Sequence, residues 1–344
     1  MLQSEALRHI LWLLTFFQLS VSLPLRATTT TTYPLTVIGR FAQPQTFENI
    51  ATRHNGQLLL TSTGSSTLYH VDPLRHDEIS SIVDIPATTG LLGITELEED
   101  VFFVISANLS SVQGVPGSNA VWRIDMRGHG SFSASNRTAK REPPLSLVAN
   151  IGSARLLNGM CRLADHDATT LLISDSQAGR IFKLDTHTGS FQIIVDDEVL
   201  KSSSGGLQVA VNGIHVRGSY LFFTNLNKGI FGRIPISLTT GIPTGPIEVI
   251  VQGVQGDDFA VSTDGKTAWI AMNGQNRLVE VDIPARRARV VAESSYLASA
   301  SAVSFGRTLL DRDSLYISSA GVLDAAIGIN STVTGGIVAR VDLV

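Results

Sequence analysis

One cysteine, Cys161, is present in the 344-residue sequence, so no disulfide can form within the chain and its stability must come from packing. Charge is scarce as well, at 16% of residues with a net value of −4, and there is no broad basic surface of the kind a nucleic acid requires. Aromatic residues are only 6% of the chain. No apolar run reaches the length of a membrane span, and no amphipathic helix suited to a membrane surface is visible. What is plentiful is aliphatic: hydrophobic residues make up 43%, the proportion of a well-buried globular protein. The length is large for one domain by the usual prior, but all-β folds built from repeats reach it.

The amino terminus stands apart. ILWLLTFFQLSVSL (10–23) is a short apolar core behind Arg8 and His9, and SVS (20–22) places small residues at the −3 and −1 positions of a cleavage site. Residues 1–22 are therefore expected to be a secretory signal peptide, with an uncleaved anchor as the alternative, and 23–32, rich in threonine, a flexible leader. The expected destination is the secretory pathway and the extracellular space, with no membrane attachment after cleavage. Three N-glycosylation sequons agree with that route, at Asn108, Asn136 and Asn330, all in expected loops.

Short segments recur. TLYHVD, AVWRID, RIFKLD, RLVEVD and IVARVD each alternate apolar and polar residues and close on an aspartate, at Asp72, Asp125, Asp185, Asp282 and Asp342. Alternation is the period of a half-buried strand. The aspartates are 53, 60, 97 and 60 residues apart, and the double interval contains a degenerate copy, GRIPI (232–236). Each unit also has a preceding apolar strand, such as TLLISD (170–175) or SLYISS (314–319), and often a following one, such as FQIIVDD (191–197). Four strands per unit, repeated six times, predict a six-bladed β-propeller over residues 33–344. A β-sandwich would share the strands but not the internal repetition. YPLTVIGRF (33–41) precedes the first unit and is expected to supply the outer strand of the last blade, pairing 34–39 with 337–342 and closing the ring.

In such a ring the starts of the inner strands meet at the channel axis. Those starts carry Glu48, Gly93, Asn158, Asn212, Asp257 and Ser301. Glu48, Asn158, Asn212 and Asp257 fall at equivalent positions, so their oxygens should converge, and a hard divalent cation such as Ca2+ suits that donor set. The competing explanation is that Asn-Gly only shapes turns. Two loops on the same face are long, 107–120 and 320–336. The second carries Val322, Leu323 and Ile327, an apolar lid fitted to hydrophobic small molecules, or a segment that packs on the rim and covers nothing.

ENIATRHNGQLLLTS, LNGMCRLADHDATTLLISD and GDDFAVSTDGKTAWIAMNGQNRLVEVD resemble blades of the SMP-30/gluconolactonase/LRE-like superfamily, whose paraoxonase-type members are lactonases. The resemblance implies metal-holding roles for Glu48, Asn158 and Asp257, with Asn212 added by the paraoxonase type and a polar residue, Asp258, following. Where sugar lactonases of the group grip hydroxyls with polar side chains, this chain has TTGLLGI (88–94), so Leu91 and Leu92 are expected to line an apolar pocket instead. Arg155 is a candidate channel cation. His215 and Cys161, each three residues past a candidate ligand, are expected on the opposite strand face in structural roles.

The overall plan is also similar to that of fungal hetero-Diels–Alderases of this superfamily, which join a tropolone quinone methide to a sesquiterpene such as humulene. Three functions follow as expectations: such a pericyclase, with catalytic residues unassigned and no organic cofactor; a calcium-dependent lactonase or esterase for a hydrophobic substrate; and a binding propeller without catalysis.

Overall fold

The computed structural model describes residues 33–41, 46–74, 79–110, 113–130, 142–321 and 335–343. The expected signal peptide and leader, the sequons at Asn136 and Asn330, and the lid residues Val322, Leu323 and Ile327 lie outside the described residues. No helix among the described residues is long and apolar enough to cross a membrane.

Six four-stranded antiparallel sheets form the blades of a β-propeller. Their inner strands are Ile50–Thr52, Gly90–Glu98, Leu157–Arg162, Val211–Arg217, Gly256–Val261 and Ala300–Phe305 for blades 1 to 6, and each packs beside the next, with the sixth returning to the first. The channel they enclose has an entrance end, where the inner strands begin, and an exit end, where they finish. In the sixth blade the order runs inward from Leu35–Arg40 through Ile337–Asp342 and Ser314–Ser319 to Ala300–Phe305. Leu35 faces Val341 and Arg40 faces Ile337, so the chain's first strand closes the ring as its sequence suggests.

Burial follows position in the blade. The second strands, such as Val101–Ala107 and Ser314–Ser319, are buried at every residue because neighbouring blades cover both faces. Outer strands such as Phe191–Asp196 are mostly exposed. Each junction between consecutive blades has its own hydrophobic core among the described residues. The closing junction packs Ile38 from the first strand with Phe47, Tyr69, Tyr316 and Val338.

The recurring aspartates have a local cause. Asp72, Asp125, Asp185 and Asp282 each turn a carboxylate oxygen back to accept from backbone N–H groups two or three residues on, at Leu74, Arg127, His187 and Ala285 respectively. Each caps the turn from third to fourth strand, which is why the pattern ends on that residue. The degenerate unit is a true third strand, Ile230–Pro235, ending on a proline where the others carry the cap.

A buried ion pair ties the exit ends of blades 1 and 2. Arg53, 1% exposed, donates from Nε and Nη2 to the two carboxylate oxygens of Asp100 at 3.0 and 2.7 Å. Its remaining donors reach Gln57 Oε1 at 2.9 Å and the His129 carbonyl at 2.8 Å.

Candidate functional site

The inner strands do not run straight into the channel. Register shifts interrupt blade 3 between Leu157 and Met160, blade 4 between Val211 and Ile214, and blade 5 between Gly256 and Phe259. A bulge inserts a residue and re-aims side chains. Here the three bulges contain Asn158, Asn212 and the Asp257–Asp258 pair. The glycines after the asparagines are set by crowding. A Cβ on Gly159 would stand 2.3 Å from the Asn212 carbonyl oxygen, and one on Gly213 would stand 2.2 Å from Asp258 Oδ1. Asn158–Gly159 and Asn212–Gly213 therefore mark close approach of adjacent inner strands, and neither glycine sits in a positive-φ turn, unlike the glycines of Asn55–Gly56 and Asn273–Gly274.

Glu48, Asn158, Asn212, Asp257 and Asp258 are all buried at the entrance end of the axis. Glu48 is hydrogen-bonded by the Asn158 side chain. Asn212 Nδ2 donates to Asp257 Oδ1, and Asn273 Nδ2 donates to Asp257 Oδ2 at 2.8 Å. Both carboxyls hold their protons more tightly than usual. Burial, then repulsion from Asp257 and Asp258, raises Glu48 well above the ordinary range, against the pull of Asn158. Burial and the Asp258 charge push Asp257 up to about 7, although the two asparagine donors work against them.

Asn212 Oδ1 is buried without a hydrogen-bond partner among the described residues. Leaving such an acceptor unsatisfied costs about 1–3 kcal/mol. No group of three or more His, Cys, Asp or Glu side chains among the described residues is placed to hold a metal ion. The set at the axis is mixed, with two carboxylates and two amides. An orphaned amide oxygen beside two carboxyls pushed toward their neutral forms chiefly by burial fits a hard cation such as Ca2+, which would satisfy the first and draw the second into their charged forms. Glu48, Asn158, Asn212 and Asp257 would hold it.

Asp258 points the other way along the axis. Its Oδ2 accepts from Asn49 Nδ2 at 3.0 Å, and its Oδ1 lies 2.8 Å from His215 Nε2. The histidine thus belongs to the axial network, contrary to the expectation from strand alternation. The bulge between Val211 and Ile214 removes that alternation and brings His215 to the channel side. Asn49 and Asn273 were not visible as site residues in the sequence, because each acts only by donating a hydrogen bond to an axial carboxylate, Asn49 across from blade 1 to blade 5 and Asn273 within blade 5. Cys161 is buried, and burial raises its thiol further, so it is inert, but the blade 3 bulge between Leu157 and Met160 brings it to a cavity wall beside His215 rather than to the expected opposite face.

Leu91 and Leu92 do not line an open pocket. Leu91 is fully buried in the core between blades 1 and 2, and Leu92 in the core between blades 2 and 3. Adjacent residues of a strand point to opposite faces, so the two side chains enter the two junctions that flank blade 2 rather than the channel. Arg155 is exposed at the entrance end, where its backbone N–H is held by Asp175 Oδ2 at 2.9 Å. The described part of the long blade 2 loop includes paired segments Leu109–Ser110 and Gln113–Gly114. It bounds a cavity of about 390 Å³ with Trp122, Pro116 and Asn108, and none of the axial residues lines it.

The fold and axial cluster define the class, a six-bladed propeller with acids and amides gathered at the head of its channel. Luciferin-regenerating enzyme shares the fold with a TM-score of 0.65 at 14% identity, over 90% of this chain and 95% of that one. Regucalcin from Agrobacterium tumefaciens, a calcium-binding protein, shares it with a TM-score of 0.58 at 14% identity, over 89% and 95% of the two chains. In sequence the chain resembles a Phoma protein described as a "putative hetero-Diels-Alderase", at 26% identity over 334 residues, 88% of this chain and 91% of the relative. A Sarocladium schorii protein of the same description is 28% identical over 254 residues, 66% of this chain and 61% of the relative. No protein-family model matches the chain.

Proposed function

We propose that this protein is a pericyclase that catalyses an intermolecular hetero-Diels–Alder cycloaddition in natural-product biosynthesis. The observation that carries the reading is similarity along 88% of the chain to a protein described in those terms. The chemistry of the described site is compatible. A cycloaddition needs no nucleophile and no general base. A C=C–C=O heterodiene and an alkene give one C–C and one C–O bond while the remaining π pair shifts between them, and no proton or leaving group departs. The reactants assigned are a tropolone quinone methide as heterodiene and a humulene-type sesquiterpene olefin.

What the protein must supply is orientation, worth up to about 7–11 kcal/mol at the limit, and electron withdrawal at the carbonyl oxygen. The chain's own groups suit the second task. Glu48 and Asp257, held toward their neutral forms by burial, are carboxylic acid donors at the head of the channel, and the asparagines fix their rotamers. A bound divalent cation would act there as a Lewis acid on the same oxygen.

A calcium-dependent lactonase or esterase is the second reading, favoured by the orphaned Asn212 oxygen among the acids. One assay separates the two. The olefin and a quinone-methide precursor are mixed with protein, with and without chelator, and the adducts resolved on a chiral phase. A single stereoisomeric adduct in excess over the protein-free control is expected. No such excess, together with chelator-sensitive hydrolysis of an aryl ester or lactone, refutes the cycloaddition and establishes the hydrolase.

A further inference from the structure

The channel has a second chamber that the proposed chemistry does not use. Asn49, Asp258 and His215 form a hydrogen-bonded bar between blades 1, 5 and 4. On its exit side lies a cavity of about 340 Å³, which none of Glu48, Asn158, Asn212 and Asp257 lines. All six blades contribute to its wall, and three arginines stand in it: Arg162 from blade 3, Arg217 from blade 4 and Arg307 from the loop after the blade 6 inner strand.

Their charges are unequally compensated. Arg307 pairs with Glu96, and the other Glu96 oxygen is taken by the Asp100 N–H at 2.7 Å. Arg162 is held by neutral groups only, its Nε and Nη2 donating to the Glu96 carbonyl at 3.2 and 2.9 Å, Nη2 also to the Leu97 carbonyl, and Nη1 to the Asp165 carbonyl at 3.3 Å. Arg217 has no acceptor among the described residues, and its Nε is buried without a partner. On the acidic side, Asp258 already spends both oxygens on Asn49 and His215. The remaining lining carboxylate, Asp165, is exposed. Two guanidiniums therefore face one chamber without a carboxylate of their own.

We propose that the exit chamber binds a small polycarboxylate. The planar guanidinium fork matches a carboxylate edge with two parallel hydrogen bonds. The two uncompensated groups stand on different inner strands, in blades 3 and 4, and a short chain with a carboxylate at each end presents one to each of them. The volume agrees, being roughly ten times the share of one water in the liquid, about 30 Å³. The site is separate from the proposed reaction and does not depend on it.

The test is calorimetric titration of the full chain with tricarballylate in calcium-free buffer, ionic strength being held with sodium chloride. Saturable one-to-one binding is expected, weakened at least tenfold in Arg217→Gln. The unliganded variant should unfold at the wild-type temperature, because that guanidinium has no partner to lose. Three results overturn the proposal: no binding beyond the chloride control, equal affinity in Arg217→Gln, or inorganic phosphate binding as tightly with the same sensitivity to that substitution.

Discussion

Replacing Asp257 by asparagine puts a number on the axial cluster. In the metal-free protein the Asp257 carboxyl titrates at about 7, against about 3.9 in an unfolded chain. Between those values the folded state keeps a proton that the unfolded state has released. The associated stability is complete below about pH 4 and is lost as pH rises through about 7. Roughly three units at 1.36 kcal/mol each give about 4 kcal/mol, and Glu48, raised for the same reasons, adds in the same direction. The substitution removes this group from the titration. Its new amide can also be satisfied, because Asn212 can turn its orphaned Oδ1 toward the new N–H.

Urea denaturation in chelator, at about pH 5 and about pH 8, is the assay. Wild type should lose stability between the two, and Asp257→Asn should lose less and exceed wild type at the higher pH by up to about 4 kcal/mol. Calcium should narrow that gap and reverse it only above roughly a thousand times its dissociation constant, where binding stabilises wild type by about 4.1 kcal/mol, because the variant keeps an oxygen donor but loses the charge that holds the ion. Wild type that is equally stable at both pH values in chelator, or a variant less stable at the higher one, would refute the electrostatic reasoning.

Two further outcomes concern the ring. Arg53→Met should destabilise by up to about 3–5 kcal/mol in denaturant titration, because Asp100, 7% exposed, is left with only the exposed His54 ring, 3.2 Å away, as a partner; the double variant with Asp100→Asn should recover part of that loss. Deleting residues 23–40 removes the outer strand of blade 6 and bares the edge of Ile337–Asp342. Its melting temperature should fall by roughly 5 °C or more, and an unchanged value would place ring closure elsewhere.

The architecture was legible because it is written several times over. Strands at 170–175, 180–185, 220–225, 267–272, 277–282 and 314–319 have the bounds that alternation and the capping aspartates suggest. Repetition averages out local ambiguity. The degenerate blade 4 unit could be placed only by its spacing, since proline stands where the aspartate would. The closing strand was readable for a related reason: a propeller that lacks one strand in its last blade must find it at the other end of the chain.

The candidate site was legible where it depends on ring symmetry and illegible where it depends on bulges. Glu48, Asn158, Asn212 and Asp257 were singled out because equivalent positions in a ring face its axis, and they pair there as Asn158 with Glu48 and Asn212 with Asp257. Alternation failed just beyond them. Counting three residues past Asn212 assigns His215 to the far face, and the same count past Asn158 does so for Cys161. In both strands an inserted residue reverses the side chains that follow it. A bulge leaves almost no mark in composition. Its trace here is the glycine after each asparagine, required because neighbouring strands approach too closely for a Cβ. Asn-Gly at the same place in successive repeats is thus better evidence of a bulged inner strand than of a turn, and the residue three places on should then be read as facing the channel.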